Sequence, residues 1–289
     1  MSVSLTPHTA TIRLAGVIKT EPEGIAKLLE FYEQASRFQN CILRADCYEL
    51  EWIDANLAAL LLAFDYQLLK LRNVSIASDF AFLAERFCFL FENGWLKHRD
   101  KDFPDEQRRT LLCTSFAPDQ LEDFIDYVKK KLLAHTGTHG LTDTLRIQME
   151  SDLMEIFINI KRHAQTNDPL FVCGHYYQVA GYFVFTMADL GIGFLPPIRT
   201  FTEGRIATCA EALEWALSGN SVTGEPLAGM GLEGIREYCR NHGGGLQIIS
   251  GDAFWGTKLP CVGQIGHVGL KKSFQGSIIN LFFPFRAVK

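Results

Sequence analysis

The stretch Leu153-Met154-Glu155-Ile156-Phe157-Ile158-Asn159-Ile160-Lys161-Arg162-His163 decides how the chain is read. Six of its first eight residues are apolar, and the two polar ones, Glu155 and Asn159, stand four apart and so share one side of a helix. Around it, Leu145, Met149, Leu153, Ile156 and Ile160 recur at spacings of three and four, which predicts one helix over residues 141–163 with one buried face. Arg162 and His163 continue the polar stripe. A carboxylate and an amide inside an apolar helix need partners, because an unpaired buried polar group costs about 1–3 kcal/mol. Either the two bond each other or they face a ligand; their oxygens suit Mg2+ and the water around it.

Two later segments favour the ligand. Phe183-Val-Phe-Thr-Met-Ala188 reads as a strand and runs into Asp189-Leu-Gly191-Ile-Gly193. Ala228-Gly229-Met-Gly231-Leu232 then opens a helix through Arg240 that breaks at Gly243-Gly244-Gly245. Glycines before a helix let backbone N–H groups approach phosphate at the positive end of the helix dipole. In this order, the three segments resemble the GHKL (Bergerat-fold) ATPases, which include histidine-kinase catalytic domains, gyrase-type ATPases and anti-sigma-factor serine kinases. The resemblance covers about residues 140–286. It implies that Asn159 ligates Mg2+, that Glu155 is the catalytic carboxylate polarising the attacking water or hydroxyl, and that Arg162 reaches the phosphates of ATP. By the same likeness His163 belongs to the nucleotide-binding set, Asp189 accepts the adenine amine, and Gly191 and Gly193 turn the chain beneath the base. Gly229, Gly231 and Leu232 form a second glycine box at the phosphates. Ser277, in the final strand Gly276-Ser-Ile-Ile-Asn-Leu-Phe-Phe-Pro284, stands where the family has a threonine hydroxyl near adenine. Residues 196–228 correspond to a lid that orders over the triphosphate.

The region ahead of this alternates strand and helix patterns: Thr11-Ile-Arg-Leu-Ala-Gly16, a helix over 22–38, a strand at 41–46, an apolar helix over 54–71, a short strand at Val74 and Ile76, and a helix over 80–91. This order, with Leu14-Ala-Gly16 and Trp52-Ile-Asp54-Ala-Asn-Leu57, resembles a STAS domain, the anti-sigma-factor antagonist family, over about residues 8–95. That family carries a phosphorylated serine after the aspartate. Here Ala55 stands in its place and has no hydroxyl, so the site cannot accept a phosphoryl group. Asp54 could otherwise be a plain helix cap.

The expected architecture is therefore α/β in two domains: a STAS-like layer domain over 1–96, a linker over 97–117, and a Bergerat-fold sandwich with a mixed sheet over 118–289. The linker rests on the charged run from Lys97 to Arg109. His135 and His139, beside Thr136-Gly-Thr138, are poorly placed for a phosphohistidine. The amphipathic segment from Leu121 to Leu133 suits either a homodimer face or the domain's own core.

A chain of 289 residues with 47% hydrophobic and 21% charged residues has material for two cores, and a net charge of −5 speaks against non-specific nucleic-acid binding. No apolar run is long enough to span a membrane and no signal peptide is evident. The eight cysteines stand singly, with no zinc spacing, which suits reduced thiols in a cytoplasm. The cluster Phe87-Cys-Phe-Leu-Phe91 reads as core. The expected function is an ATP-binding signalling protein, a Mg2+-dependent ATPase or serine/threonine kinase acting on a protein partner such as a sigma-factor-like or STAS-type regulator. The alternative is a non-catalytic, nucleotide-gated interaction module.

Overall fold

A computed structural model describes residues 9–96, 109–135, 138, 141–222, 230–257 and 264–284. The fold is mixed α/β, with parallel pairing in the N-terminal part and antiparallel pairing in the C-terminal part.

In the N-terminal part, strands β1 (Thr9–Arg13), β3 (Cys41–Asp46) and β5 (Val74–Ser78) form a parallel sheet in the order β1-β3-β5. Strands β2 (Gly16–Ile18) and β4 (Leu50–Ile53) make a separate parallel pair. Helix α1 (Pro22–Ala35) starts on a proline, whose missing N–H costs nothing in a first turn, and buries Ile25, Leu28, Leu29 and Phe31. A 3-10 turn at Ala55–Leu57 leads into α2 (Ala58–Arg72), which Asn73 ends in the left-handed conformation at φ 51°. The helix expected over 80–91 is two, α3 (Phe80–Arg86) and α4 (Phe89–Glu92), separated at Phe87 where φ is −133°. Phe87, Phe89 and Leu90 are buried, as a core cluster requires.

The C-terminal part contains β6 (Thr110–Phe116), α5 (Leu121–Tyr127) with a π-helical turn at Val128–Leu132, α6 (Asp143–His163), β7 (Leu170–Tyr177), β8 (Tyr182–Asp189), α7 (Leu195–Phe201), α8 (Cys209–Leu217), α9 (Met230–His242), β9 (Gly245–Thr257) and β10 (Gln264–Pro284). Its five strands run β6-β7-β8-β10-β9. Every pairing in this sheet is antiparallel, which corrects the expectation of a mixed sheet. The expected linker over 97–117 is also too long: Thr110–Phe116 is a strand paired with β7. The apolar side of the 121–133 segment is used at home, with Phe124, Tyr127, Val128 and Leu132 all buried.

The middle of the sheet is buried on both faces. Val172, Phe183, Phe185, Met187, Ile248, Ile279 and Leu281 face one cluster, together with α5, α6 and α9 residues such as Phe124, Leu153 and Ile235. Their strand neighbours Phe171, Cys173, Ala188, Ile249 and Ile278 face the other way and join the cluster of Leu28, Phe64 and Leu68 from α1 and α2. The period of two along each strand thus feeds two cores. The second of them runs straight across the expected domain boundary.

A row of polar side chains interrupts this second core. Gln247, Asn280, Thr186 and Cys173 lie opposite one another across β9, β10, β8 and β7. Thr186 Oγ1 donates to Asn280 Oδ1 at 2.7 Å, and Asn280 Nδ2 donates to Gln247 Oε1 at 3.1 Å. The N-terminal part closes the circuit: Gln247 Nε2 donates to the Thr20 carbonyl (3.0 Å), Asn56 Nδ2 donates to Thr20 Oγ1 (3.1 Å) and to Thr186 Oγ1 (2.8 Å). Tyr177 Oη donates to Asn56 Oδ1 at 3.0 Å and accepts the Ala55 N–H at 3.1 Å. Asp54 caps nothing; its carboxylate accepts the N–H and hydroxyl of Thr20 (2.7 and 2.8 Å) and the Trp52 indole N–H (2.8 Å). Asn56, Thr186, Gln247 and Asn280 are each 0% exposed, so their pairing is obligatory.

A shared core predicts shared folding. Urea unfolding of the whole chain, followed in parallel by far-ultraviolet circular dichroism and tryptophan fluorescence, should give one coincident transition. Residues 109–289 produced alone should show no cooperative transition, because Phe171, Phe254 and Ile278 would lose their cover. Two separate transitions would show that the halves fold independently.

Candidate functional site

Helix α6 begins where the Thr142 hydroxyl accepts the Leu145 N–H at 3.3 Å, and it buries Met149, Asp152, Leu153, Ile156 and Phe157. Its last turns bring Asn159, Ile160 and His163 to the wall of an open cavity. On past His163, the Ala164 carbonyl accepts the Ile192 N–H at 2.9 Å, which pins the loop after β8 to the helix end. The approach is so close that a Cβ on Gly191 would fall 2.4 Å from that of Ala164. Gly193 has φ +73°, and a Cβ there would meet Ser250 Oγ at 2.5 Å. The loop therefore requires both glycines.

Asp189 ends β8 beneath this loop and is almost fully buried. Its Oδ1 accepts the Gly191 N–H at 2.8 Å, and its Oδ2 accepts the Ser277 hydroxyl from β10. Burial pushes the carboxyl above its ordinary range, while the two donors favour the charged form. Ser277 lies opposite both Asp189 and Ser250 in register, so Asp189, Ser277 and Ser250 make a second polar row, on the helix-facing side of the sheet. Ser250 Oγ donates to the Gly276 carbonyl (3.0 Å) and accepts the Phe194 N–H (3.1 Å).

The cavity has about 120 Å³ open to the centres of water-sized molecules, several times what one water needs. Of the residues expected at a nucleotide site it unites Asn159, His163, Asp189, Gly193, Leu232 and Ser277. Gly191 belongs to the loop but is not among the lining residues. Glu155 and Arg162 are not among the lining residues: Glu155 lies against Gly231, whose added Cβ would sit 3.0 Å from the Glu155 Cβ, and Arg162 is exposed. Gly229 and His139 lie outside the described residues. His163 Nε2 is buried without a hydrogen-bond partner, and burial, helped by Arg162, holds the imidazole pKa down.

Other walls come from the segment expected as a lid. Ile198 of α7, Trp215 and Ala216 of α8, and Asn220 to Val222 beyond it close one side. The segment expected as a lid is thus helical in two places and packed on the sheet through Leu213 and Leu217. Its one readable signal is the capping box of Thr208 and Glu211, whose side chains satisfy each other's backbone N–H groups. Ser250 gave no such sign.

The cavity has the composition of a small-molecule site: apolar walls with a buried carboxylate, and an amide and an imidazole on the facing helix. Hydrated Mg2+ takes one or two protein oxygens along with its waters, and the Asn159 carboxamide can supply one. Among the described residues no group of three His, Cys, Asp or Glu could hold a metal unaided, and no helix is long and apolar enough to cross a membrane. No protein-family model, curated protein or solved structure matches the chain.

Asp152, one turn before Glu155, is buried at the α6–α9 contact. Gln148 Nε2 donates to one oxygen at 2.8 Å, and the other has no hydrogen-bond partner. Burial, helped by Glu155, pushes its pKa up to about 6. Since the folded state then holds the proton more tightly than the unfolded one, stability falls as pH rises through the interval between the ordinary aspartate value and about 6. Asp152→Asn should accordingly raise stability above pH 6 by about 1–3 kcal/mol, and the gain should vanish near pH 4. Thermal unfolding of both proteins across that range checks this; a gain independent of pH would contradict it.

Proposed function

We propose that the chain binds ATP with Mg2+ in the cavity between α6 and strands β8 and β10, and that it serves signal transduction as an ATPase or serine/threonine kinase of the GHKL type. The observation that carries this reading is Asp189, buried and held by Ser277 and Gly191 in a loop that only glycine permits, facing a helix that presents Asn159 and His163. In this reading Asp189 receives the exocyclic amine of the base. Asn159 would hold Mg2+, which supplies charge neutralisation to the phosphates. The remaining work is positioning, and the walls from Ile198 to Val222 exclude water from the bound base.

The N-terminal part supports a docking role rather than that of a substrate. Ala55 is 1% exposed, its N–H donates to Tyr177 and its carbonyl accepts the Asn93 amide at 3.1 Å. Its backbone is engaged and it carries no hydroxyl, so this position accepts no phosphoryl group, and in this reading the acceptor belongs to a protein partner of a cytoplasmic regulator. One observation favours the second reading, a nucleotide-gated interaction module without turnover. Glu155 packs at the start of α9 and is not part of the cavity wall.

Calorimetry with Mg-ATP tests the proposal. The wild type should bind; Asp189→Asn should weaken binding by about tenfold to a hundredfold, as expected for a lost charged hydrogen bond. Asn159→Ala should abolish the Mg2+ dependence. Hydrolysis that disappears in Glu155→Ala while binding persists would favour the enzyme, and absence of binding by the wild type would overturn the reading. Wild-type binding with no turnover would select the interaction module.

A further inference from the structure

The two polar rows lie on the same strands, on opposite faces, three residues apart. Thr186 precedes Asp189 by three positions on β8, and Asn280 follows Ser277 by three on β10. The first row bonds to the N-terminal part; the second floors the cavity. Contact between Asp189 and Ser277 depends on β8 and β10 keeping their register, because a slip of one residue would turn Ser277 to the other face.

The β8–β10 ladder is regular from Ser277–Asp189 to Pro284–Tyr182 but starts at that first pair, so backbone pairing flanks the Asp189–Ser277 contact on one side only. Between β9 and β10 the ladder shifts twice just ahead of Ser277, between Gly269 and Phe274 and again between Phe274 and Ser277. Gly276 adds a backbone kink at φ +108°, where a Cβ would strike the Asp189 carbonyl at 2.0 Å. Regular pairing of β10 with β9 resumes at Ser277 and runs to Phe282, and Asn280 stands inside that regular run. There it accepts from Thr186 on one neighbouring strand and donates to Gln247 on the other, so it fastens three strands at one level. A slipped β10 would carry Asn280 into the apolar core facing α6 and cost Thr186 and Gln247 the bonds they make to it.

We infer that Thr20 and Asn56 of the N-terminal part, through Thr186, Asn280 and Gln247, act as positioning residues for the Asp189–Ser277 pair on the far face of the sheet. The N-terminal part is then a working component of the cavity, although none of its residues lines it. The ATP reading enters only through an affinity measurement, and a second readout is independent of it.

The experiment compares Thr186→Val with Thr186→Ser in the full chain. Valine keeps the shape but removes the hydroxyl that joins Asn56 to Asn280; serine keeps the hydroxyl. Hydrogen exchange is followed at the Gly191 amide, which bonds Asp189, and at amides of β6 and β7 as internal standards. Mg-ATP affinity is measured well below the unfolding temperature. The valine variant should exchange Gly191 about tenfold faster with the standards unchanged, and should bind Mg-ATP about tenfold more weakly, the scale of one unpaired buried polar group. The serine variant should stay within about twofold of wild type on both counts. Unchanged Gly191 exchange, or acceleration spread evenly over the sheet, would overturn the inference, since either means that Thr186 contributes only to global stability. If the wild type fails to bind Mg-ATP, the functional proposal falls and the exchange result decides this one alone. Should Thr186→Val not fold, Gln247→Met opens the circuit at its far end and is read by the same two measurements.

Discussion

The middle of the C-terminal sheet, β7 and β8 with the adjoining segments of β9 and β10, has no solvent-facing side, so a polar side chain there has to be paired within the protein. That constraint organises most of what is specific about the chain. On the face toward α1 and α2, Thr186, Asn280 and Gln247 bond one another, and Thr20 and Asn56 complete the set at fully buried positions. On the face toward α6, Ser277 bonds Asp189 and Ser250 bonds the backbone of Gly276 and Phe194, and there the helices part to leave a cavity. The apolar residues between the rows supply the bulk of the burial free energy, but they would accept several registers; the polar rows accept one.

The contact between α6 and α9 follows the opposite rule. Gly231 and Gly234 let α9 come close, and a Cβ on Gly234 would lie 2.9 Å from both oxygens of Asp152. That closeness leaves one carboxylate oxygen unmatched. The same glycines bring the first turn of α9 beside Glu155. A half-satisfied carboxylate between two helices that flank the cavity is a local cost of bringing them so close.

Much of the site was legible because its signals are local. The apolar period of α6, the Asp189-x-Gly191-x-Gly193 turn and the strand before it each lie within a few residues, and each is found where its spacing predicts. Other features depend on residues far apart. Nothing in Thr20, Asn56, Thr186, Gln247 or Asn280 singly announces a circuit, since polar residues flanked by apolar ones are equally at home on a solvated sheet face. The charged run before Arg109 masked β6, whose residues Thr110 to Phe116 alternate buried and open positions only once a partner strand is known. A lid was expected over 196–228 from the resemblance alone, yet the Thr208–Glu211 capping box marked the start of α8. The mixed sheet failed for a topological reason: the four-residue turn between β7 and β8 and the β9–β10 hairpin both enforce antiparallel neighbours.

The position occupied by Asn56 also bears on how such a chain can change over generations. Its amide is matched at once by a hydroxyl from its own half and one from the other, and a tyrosine from the other half completes the fit. Exchange of either half by recombination with a relative would have to bring a matching set from the other, and single substitutions on the route between two such sets pass through a buried mismatch. The halves are therefore bound to travel as one heritable unit, and chains that share this arrangement should differ freely in their surface helices while the residues facing each other across the sheet change only in concert.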